Sequence, residues 1–373
     1  MVTIKEITSK KDKKKFVDFP NRLYRNNKYY IPPFFQDELE MLDPKKNAAY
    51  QYCETRLFLA YRDKKIVGRI CALINHAYNK KMNYRQMRFC RFDVIDDFTV
   101  TKLLFAEVIN WAKECGFNQI IGPIGFSDLD KQGLLIEGFA EESNTITLYN
   151  HPYYMEHMAK FGFVKDIDWL EFQVFTPSEM SERINRMANV IIKRYGYHVI
   201  RLHKRKEMKP YIEAGFALIN EAFAPIYGTV PLNQDQIKKA LKQFVTLVNM
   251  DFLYLIANKE DELIGLGLMV PSLNQATKKS NGRLFPFGAF RALSALRNPK
   301  VLDMYLIAVK PEYQNLGVNV LILCEGIKSA IKYGVTHAET GPELEENVSV
   351  QALWKEFEIR QHRRRRCYKF DLN

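Results

Sequence analysis

Two stretches of this 373-residue chain share one alternation of apolar and charged positions. "LFLAYRDKKIVGRICALIN" (57–75) reads as apolar strand, charged turn, Gly68 and a second apolar strand. "YLIANKEDELIGLGLMV" (254–270) repeats the pattern with Gly265 in place of Gly68. Both predict β-hairpins with charged tips. Farther on, "FAEVINWAKECGFNQIIGPI" (105–124) matches "LCEGIKSAIKYGVTHAETGPE" (323–343). Apolar residues at three-and-four spacing predict a helix in each, ended by Gly116 or Gly334. A short strand follows and stops at Gly122-Pro123 or Gly341-Pro342. "YYMEHMAKFGF" (153–163) and "VQALWKEFEI" (350–359) each predict a short amphipathic helix before a terminal strand.

Three matched blocks in the same order read as a duplication. Each copy predicts β–α–ββ–β–α–β–α–β over about 175 residues, one domain's worth. The division expected is 1–175, a linker helix at 176–195 ("TPSEMSERINRMANVIIKRY") and 196–373. The wider spacing in the second copy places an insertion at 271–300, between hairpin and helix. The fold class expected is α/β (α+β): two tandem domains, each a mixed, mostly antiparallel sheet flanked by helices.

Composition narrows the class. Hydrophobic residues make up 47% and charged residues 26%, values of a globular chain with a sizeable core. The formal net charge of +12 favours polyanionic partners, among them a phosphorylated cofactor. The six cysteines lie far apart with no metal-ligand spacing, so they read as reduced thiols and no metal is expected. The seven histidines show no ligand spacing either, and His76, His151 and His337 read as structural. The N-terminus has no apolar stretch of a secretory signal, and no run of about 18 apolar residues occurs. A cytoplasmic protein with no membrane partner is expected.

The stretch "VKPEYQNLGVN" (309–319) carries the chemistry. A strand gives way to a helix there, and the first amides of a helix lack intrahelical acceptors. Such a turn binds pyrophosphate. Gly317 lets the backbone approach phosphate, Gln314 can lend an amide donor, and Asn319 is small enough for the crowded turn. The corresponding turn of the first copy, in "FDVIDDFTVTKLLF" (92–105), has no glycine and three acids, Asp93, Asp96 and Asp97. It is a poor phosphate cradle.

With that loop, the sequence resembles the GNAT superfamily of N-acyltransferases, whose acyl-CoA-binding segment reads [QR]-x-x-G-x-[GA] after a strand. Gln314 and Gly317 match, and Asn319 replaces the usual Gly or Ala. The resemblance covers 196–373 by motif, and 1–175 by architecture and by "MAKFGF" (158–163). It implies a bacterial N-acyltransferase, first of all an N-acetyltransferase, with acetyl-CoA or another acyl-CoA as co-substrate and no metal. Cofactor contacts carry over to Ala308, Val309, Gln314, Asn315, Leu316, Gly317, Val318, Asn319 and Asn347. The first copy is then a degenerate domain that shapes the acceptor pocket, and a small-molecule or peptide amine binds between the halves.

Acyl transfer to an amine needs a base, because a free amine of the lysine type titrates near 10.4. Glu339, at the end of the strand beside the cofactor strand, is the candidate base, with burial expected to raise its pKa. Glu343, Glu345 and Glu346 compete with it. In the family a tyrosine on the last helix often protonates the thiolate. Trp354 stands in that place, so Tyr305 or water takes the role, or the copy is catalytically weak. "QHRRRRCYKF" (361–370) reads as a charged edge strand with alternate arginines in solvent.

Two other readings stay open. An aminoacyl-tRNA-dependent transferase of the peptidoglycan-bridge type fits the +12 charge. The intact Gln314–Gly317 loop and the lack of an inserted coiled coil argue against it, so nucleic acid is not expected as a partner. A non-catalytic acyl-CoA-binding protein fits Trp354 and the missing acid.

Overall fold

The hairpins form where the alternation places them. In the first, Cys53 faces Asn75 and Arg62 faces Lys65, and the tip residues Asp63 and Lys64 both have positive φ. That is the backbone of a tight two-residue hairpin turn, whose twist suits the strands on either side. The computed structural model describes residues 1–244 and 248–372.

The strands are β1 (Val2–Glu6), β2 (Cys53–Arg62), β3 (Lys65–Asn75), β4 (Gln86–Val94), β5 (Gln119–Gly122), β6 (Leu134–Glu137) and β7 (Val164–Phe175) in the first half. The second half adds β8 (His198–Ile200), β9 (Leu253–Ala257), β10 (Leu263–Pro271), β11 (Val301–Val309), β12 (His337–Thr340), β13 (Glu343–Leu344) and β14 (Ile359–Asp371). They form one mixed sheet in the order β1-β2-β3-β4-β5-β14-β7-β12-β11-β10-β9-β8, with β13 on β7 and β6 on β14. Among the described residues, β4 with β5 and β11 with β12 pair in parallel. The other pairings are antiparallel, as in a sheet built mainly from hairpins.

The halves exchange their last strands. β7 ends the first half yet lies between β14 and β12, while β14 ends the second half and lies between β5 and β7. This overturns the expectation for the arginine run. It lies inside the sheet, paired with β7 along most of its length and with β6 and β5 from Arg364 onward. Arg363 and Arg365 are buried and both pair with Glu171 of β7; the Arg363 Nε to Glu171 Oε2 distance is 2.5 Å. On the other face Arg364 and Arg366 meet the buried Asp168, at 3.2 and 2.7 Å. Asp168 and Glu171 supply one acid to each side of the pleat, so alternate arginines find partners on both faces.

Each half packs one long helix on its sheet: Phe98–Glu114 in the first, Val318–Tyr333 in the second. The repeated glycines explain the close approach. A Cβ on Gly68 would stand 2.9 Å from Leu104, and one on Gly265 would stand 2.4 Å from Val318. The helix Glu182–Tyr195 joins the halves, burying Ile184 and Ala188, and ends at Gly196 in the left-handed region. The insertion carries two short helices, Asn274–Ser280 and Gly288–Arg297. Among the described residues, no helix is long and apolar enough to cross a membrane.

Candidate functional site

β11 and β12 run side by side from Val301 and His337 to Met304 and Thr340, and there their pairing stops. β11 continues alone on that side to Val309. At the same point its register with β10 shifts: Leu268 faces Leu306 and Met269 faces Met304, which leaves Tyr305 as the extra residue of a bulge. A bulge beside a strand end opens the sheet and frees backbone groups. The result is a crevice between the strands, with Tyr305 at its root and the phosphate-type loop at its far end.

Ala308 and Val309 are buried at the end of β11. Asn315 and Gly317 have φ of 63° and 88°, and the helix starts at Val318, so the amides of Gly317, Val318 and Asn319 precede the first intrahelical acceptors. The would-be Cβ of Gly317 falls 2.5 Å from Ile191 of the joining helix. Glycine is therefore required both for its conformation and for that contact. Gln314 turns its amide inward and donates to Val309 O at 3.3 Å. Leu316 and Asn319 are half-buried beside it. Asn347 caps the short helix Val348–Gln351, accepting from Val350 N at 3.3 Å. The loop's shape fits a pyrophosphate, while Lys310, where the loop begins, is held by Glu262 and Glu312.

Glu339 sits on β12 directly beside Asp303 of β11. It accepts from Arg363 Nη2 at 2.5 Å and from Gln173 Nε2 at 2.9 Å. His362 Nε2 is 3.5 Å away and His337 Nε2 is 3.6 Å away. Burial alone would raise its pKa, as the sequence reading supposed. His337, Arg363, His362 and Gln173 outweigh burial and hold the carboxyl at about 2. Glu339 is thus a permanent anion at neutral pH. His362 is pushed the other way: burial, with Arg363 beside it, takes its imidazole down to about 4.

Asp303, which the sequence reading passed over, is in the opposite state. It is buried, accepts a hydrogen bond from Asn144 Nδ2 at 2.9 Å, and has the charged Glu339 as a neighbour. Burial first, then Glu339, push its carboxyl up to about 7, against the pull of the Asn144 amide. The signal for it was a lone acid inside the apolar strand "VLDMYLIAV". Tyr305, half-buried two residues on, is raised above its ordinary value by burial and by the Asp303 and Asp37 carboxylates. Asp37 belongs to the first half, on the helix Phe35–Met41. Asn144 also comes from the first half, so both halves furnish the crevice.

Of the competing acids, Glu343 is pushed up to about 7 by burial, with both oxygens 3.1 Å from Trp354 Nε1. Glu345 pairs with Lys165 and Arg364, and Glu346 is exposed. A separate cleft of about 1070 Å³ opens between the halves, lined among others by Tyr84, Arg85, Asp166, Tyr227 and Glu346.

The matching crevice of the first half is bridged. Ile124 N donates to Phe89 O at 2.9 Å, and buried Arg91 is tied to Glu38 and Asp130 at 3.0 and 3.1 Å. Arg88 and Ile121 face each other where the second half has Asp303 and Glu339. The first-half helix is capped by Asp97, which accepts from Thr99 N at 2.8 Å. A carboxylate already occupies the place a phosphate would need.

No family model matches the chain. Protein YghO of Escherichia coli is 27% identical over 372 residues, covering 98% of this chain and 94% of that protein. Bacterial ceramide synthase of Caulobacter vibrioides is 24% identical over 307 residues, covering 81% and 78%. Among solved structures, a tandem GNAT protein from the clavulanic acid biosynthesis pathway superposes with a TM-score of 0.57 at 11% identity, covering 100% of this chain and 98% of that one. The fold is the tandem GNAT fold.

Proposed function

We propose that the protein is an N-acyltransferase that moves an acyl group from acyl-CoA to an amine, with the crevice between β11 and β12 as its active site. The proposal keeps the division into a degenerate half (1–175), a linker (176–195) and an acyl-CoA-binding half (196–373). One observation carries it: two adjacent buried carboxyls, Asp303 and Glu339, whose environments drive their proton affinities apart. Such a pair divides the acid–base work of a site.

In this reading Asp303 takes the proton from the incoming ammonium. A base poised near 7 can do so, and a carboxyl near 2 cannot. Glu339, the base expected from sequence, acts instead by its fixed charge, which keeps Asp303 near neutrality. The acyl-CoA supplies a thioester carbonyl; the amine nitrogen bonds to its carbon as the C–S bond breaks. Tyr305, protonated at neutral pH, or water gives a proton to the sulfur, and the second proton that the nitrogen sheds on becoming an amide replaces it. The amides of Gly317, Val318 and Asn319 hold the pyrophosphate, with Gln314 bracing the loop from within.

The relative named as a bacterial ceramide synthase favours a fatty acyl chain and a lipid-like amine over the acetyl group expected from the sequence, since a ceramide is a fatty amide of a long-chain amino alcohol. The test is release of free CoA thiol from acetyl-CoA and palmitoyl-CoA with a panel of long-chain and short amines. Amine-dependent release that Asp303→Asn abolishes is the expected result. Tight acyl-CoA binding with no transfer to any amine would leave a binding protein, and no response to any acyl-CoA would end the reading.

A further inference from the structure

The insertion at 271–300 is built inside out. Its helix Gly288–Arg297 turns Gly288 and Ala292 inward and leaves Phe290 and Leu293 in solvent. The loop before it does the same with Leu284, Phe285 and Phe287. Phe285, Phe287 and Phe290 are 88%, 69% and 82% exposed, in a protein whose other phenylalanines largely line its cores. Scattered apolar side chains on a surface need no explanation, but five within ten residues form a patch.

The charge around the patch says what covers it. Between 271 and 300 there are six basic residues and no acidic one. Lys279, Arg283, Arg291, Arg297 and Lys300 are all exposed. Arg283 is paired with Asp18 at 3.6 Å and Lys278 with Glu142 at 2.9 Å, which leaves the patch flanked by a net positive charge. Bulky apolar rings flanked by an excess of basic side chains match an interface with an apolar interior and an anionic surface. A protein partner would need an apolar groove with an acidic rim, whereas an anionic bilayer offers both everywhere.

We propose that the insertion docks the protein on an anionic membrane surface, with Phe285, Phe287, Phe290 and Leu293 entering the headgroup–acyl boundary and the flanking arginines and lysines on the lipid phosphates. This adds a peripheral membrane surface to a chain whose described helices include none that could span one. The root of the insertion reaches the crevice. Asn274, at the start of its first helix, accepts from Thr145 N at 3.1 Å and donates to Ser143 O at 3.2 Å. Asn144, between those contacts, is the donor to Asp303. The insertion is thus tied through Asn274 to the segment that holds Asp303. The inference stands on the patch alone and does not depend on the chemistry proposed above.

The test is co-sedimentation of the full chain with vesicles of phosphatidylcholine alone and of phosphatidylcholine mixed with phosphatidylglycerol. Binding to the mixed vesicles, weakened by salt, is expected. Phe287→Ser with Phe290→Ser should weaken it by about tenfold or more, the worth of losing large apolar groups. Arg291→Glu with Arg297→Glu should weaken it too. These side chains are exposed, so circular dichroism and melting should stay as in the parent. A Phe290→Trp variant should shift its emission to the blue on mixed vesicles. Failure to bind them, an unmoved Trp emission, or binding unchanged in the Phe variants would overturn the proposal. So would sedimentation equilibrium showing a dimer that the Phe variants abolish, since a second copy would then be the occupant.

Discussion

Asp303 and Glu339 are neighbours across the parallel pair β11–β12, yet one carboxyl is pushed up to about 7 and the other held at about 2. The difference is in their partners. Glu339 has a guanidinium and an amide donor, with two imidazoles nearby, while Asp303 has an amide and a like charge, with the Ser272 hydroxyl and Arg363 as lesser attractions.

Asp303→Asn should therefore lower turnover by ~10²–10⁴-fold, the usual contribution of a general base. Acyl-CoA affinity should be nearly unchanged. In the parent, kcat/KM should rise with pH through about 7, because the ionised form is active, and this limb should vanish in the variant. Stability gives a second readout. The folded carboxyl holds a proton that the unfolded chain releases near its ordinary value of about 3.9. The parent should thus lose stability as pH rises from there through about 7, and the variant should not. A variant with full rate and the parent's pH–stability curve would remove Asp303 from the mechanism.

Glu339→Gln tests the other half of the pair. Taking away a like charge should lower the pKa of Asp303, so the rising limb of kcat/KM should move to lower pH with turnover retained above it. Since the Glu339 pKa is depressed, its carboxylate stabilises the fold above its unfolded pKa, and that contribution is lost as pH falls toward about 2. The variant should melt lower at neutral pH because buried Arg363 loses a partner. Turnover lost at every pH would instead make Glu339 the base.

Asn319→Glu separates folding from cofactor binding. A negative charge in the first turn of Val318–Tyr333 should stabilise the free protein by ~0.3–1 kcal/mol through the helix dipole. It should also repel pyrophosphate and shrink the melting shift produced by acyl-CoA. Gly317→Glu should abolish that shift but also displace Ile191. Thr99→Glu, in the exposed first turn of the corresponding first-half helix, should leave the shift as it is. Equal losses from Asn319→Glu and Thr99→Glu would mean that both halves bind the cofactor.

Glu171→Gln should be among the most damaging single changes outside the crevice. It leaves two buried arginines, Arg363 and Arg365, short of a charge. Breaking such a pair costs ~3–5 kcal/mol. Burial opposes ionisation of Glu171, but Arg363 and Arg365 hold its pKa below the ordinary value, so the parent should lose this stabilisation as pH falls into the acid range. An unchanged melting temperature at neutral pH would show that β14 is held by its backbone ladder alone.

The sequence by itself determined whatever depends on local period and turn chemistry. The two hairpins, the glycine-ended helices, the joining helix and the loop around Gly317 all follow from neighbours within a few residues, because the constraint at each place is backbone conformation or one buried face. Only the tertiary structure decided where the last strands go. Ile359–Asp371 looks like an edge because four consecutive arginines carry no local sign of partners; Asp168 and Glu171, almost two hundred residues earlier, supply them once the halves exchange strands. The same exchange brings Arg363 to Glu339 and reverses the effect expected of burial on that carboxyl. Asp303 was equally silent, because a strand acid gains its proton affinity from what is packed around it, here Asn144 from the other half and the fixed charge of Glu339. Proton affinity is a property of the assembled surroundings, and these two carboxyls meet theirs only when both halves are in place.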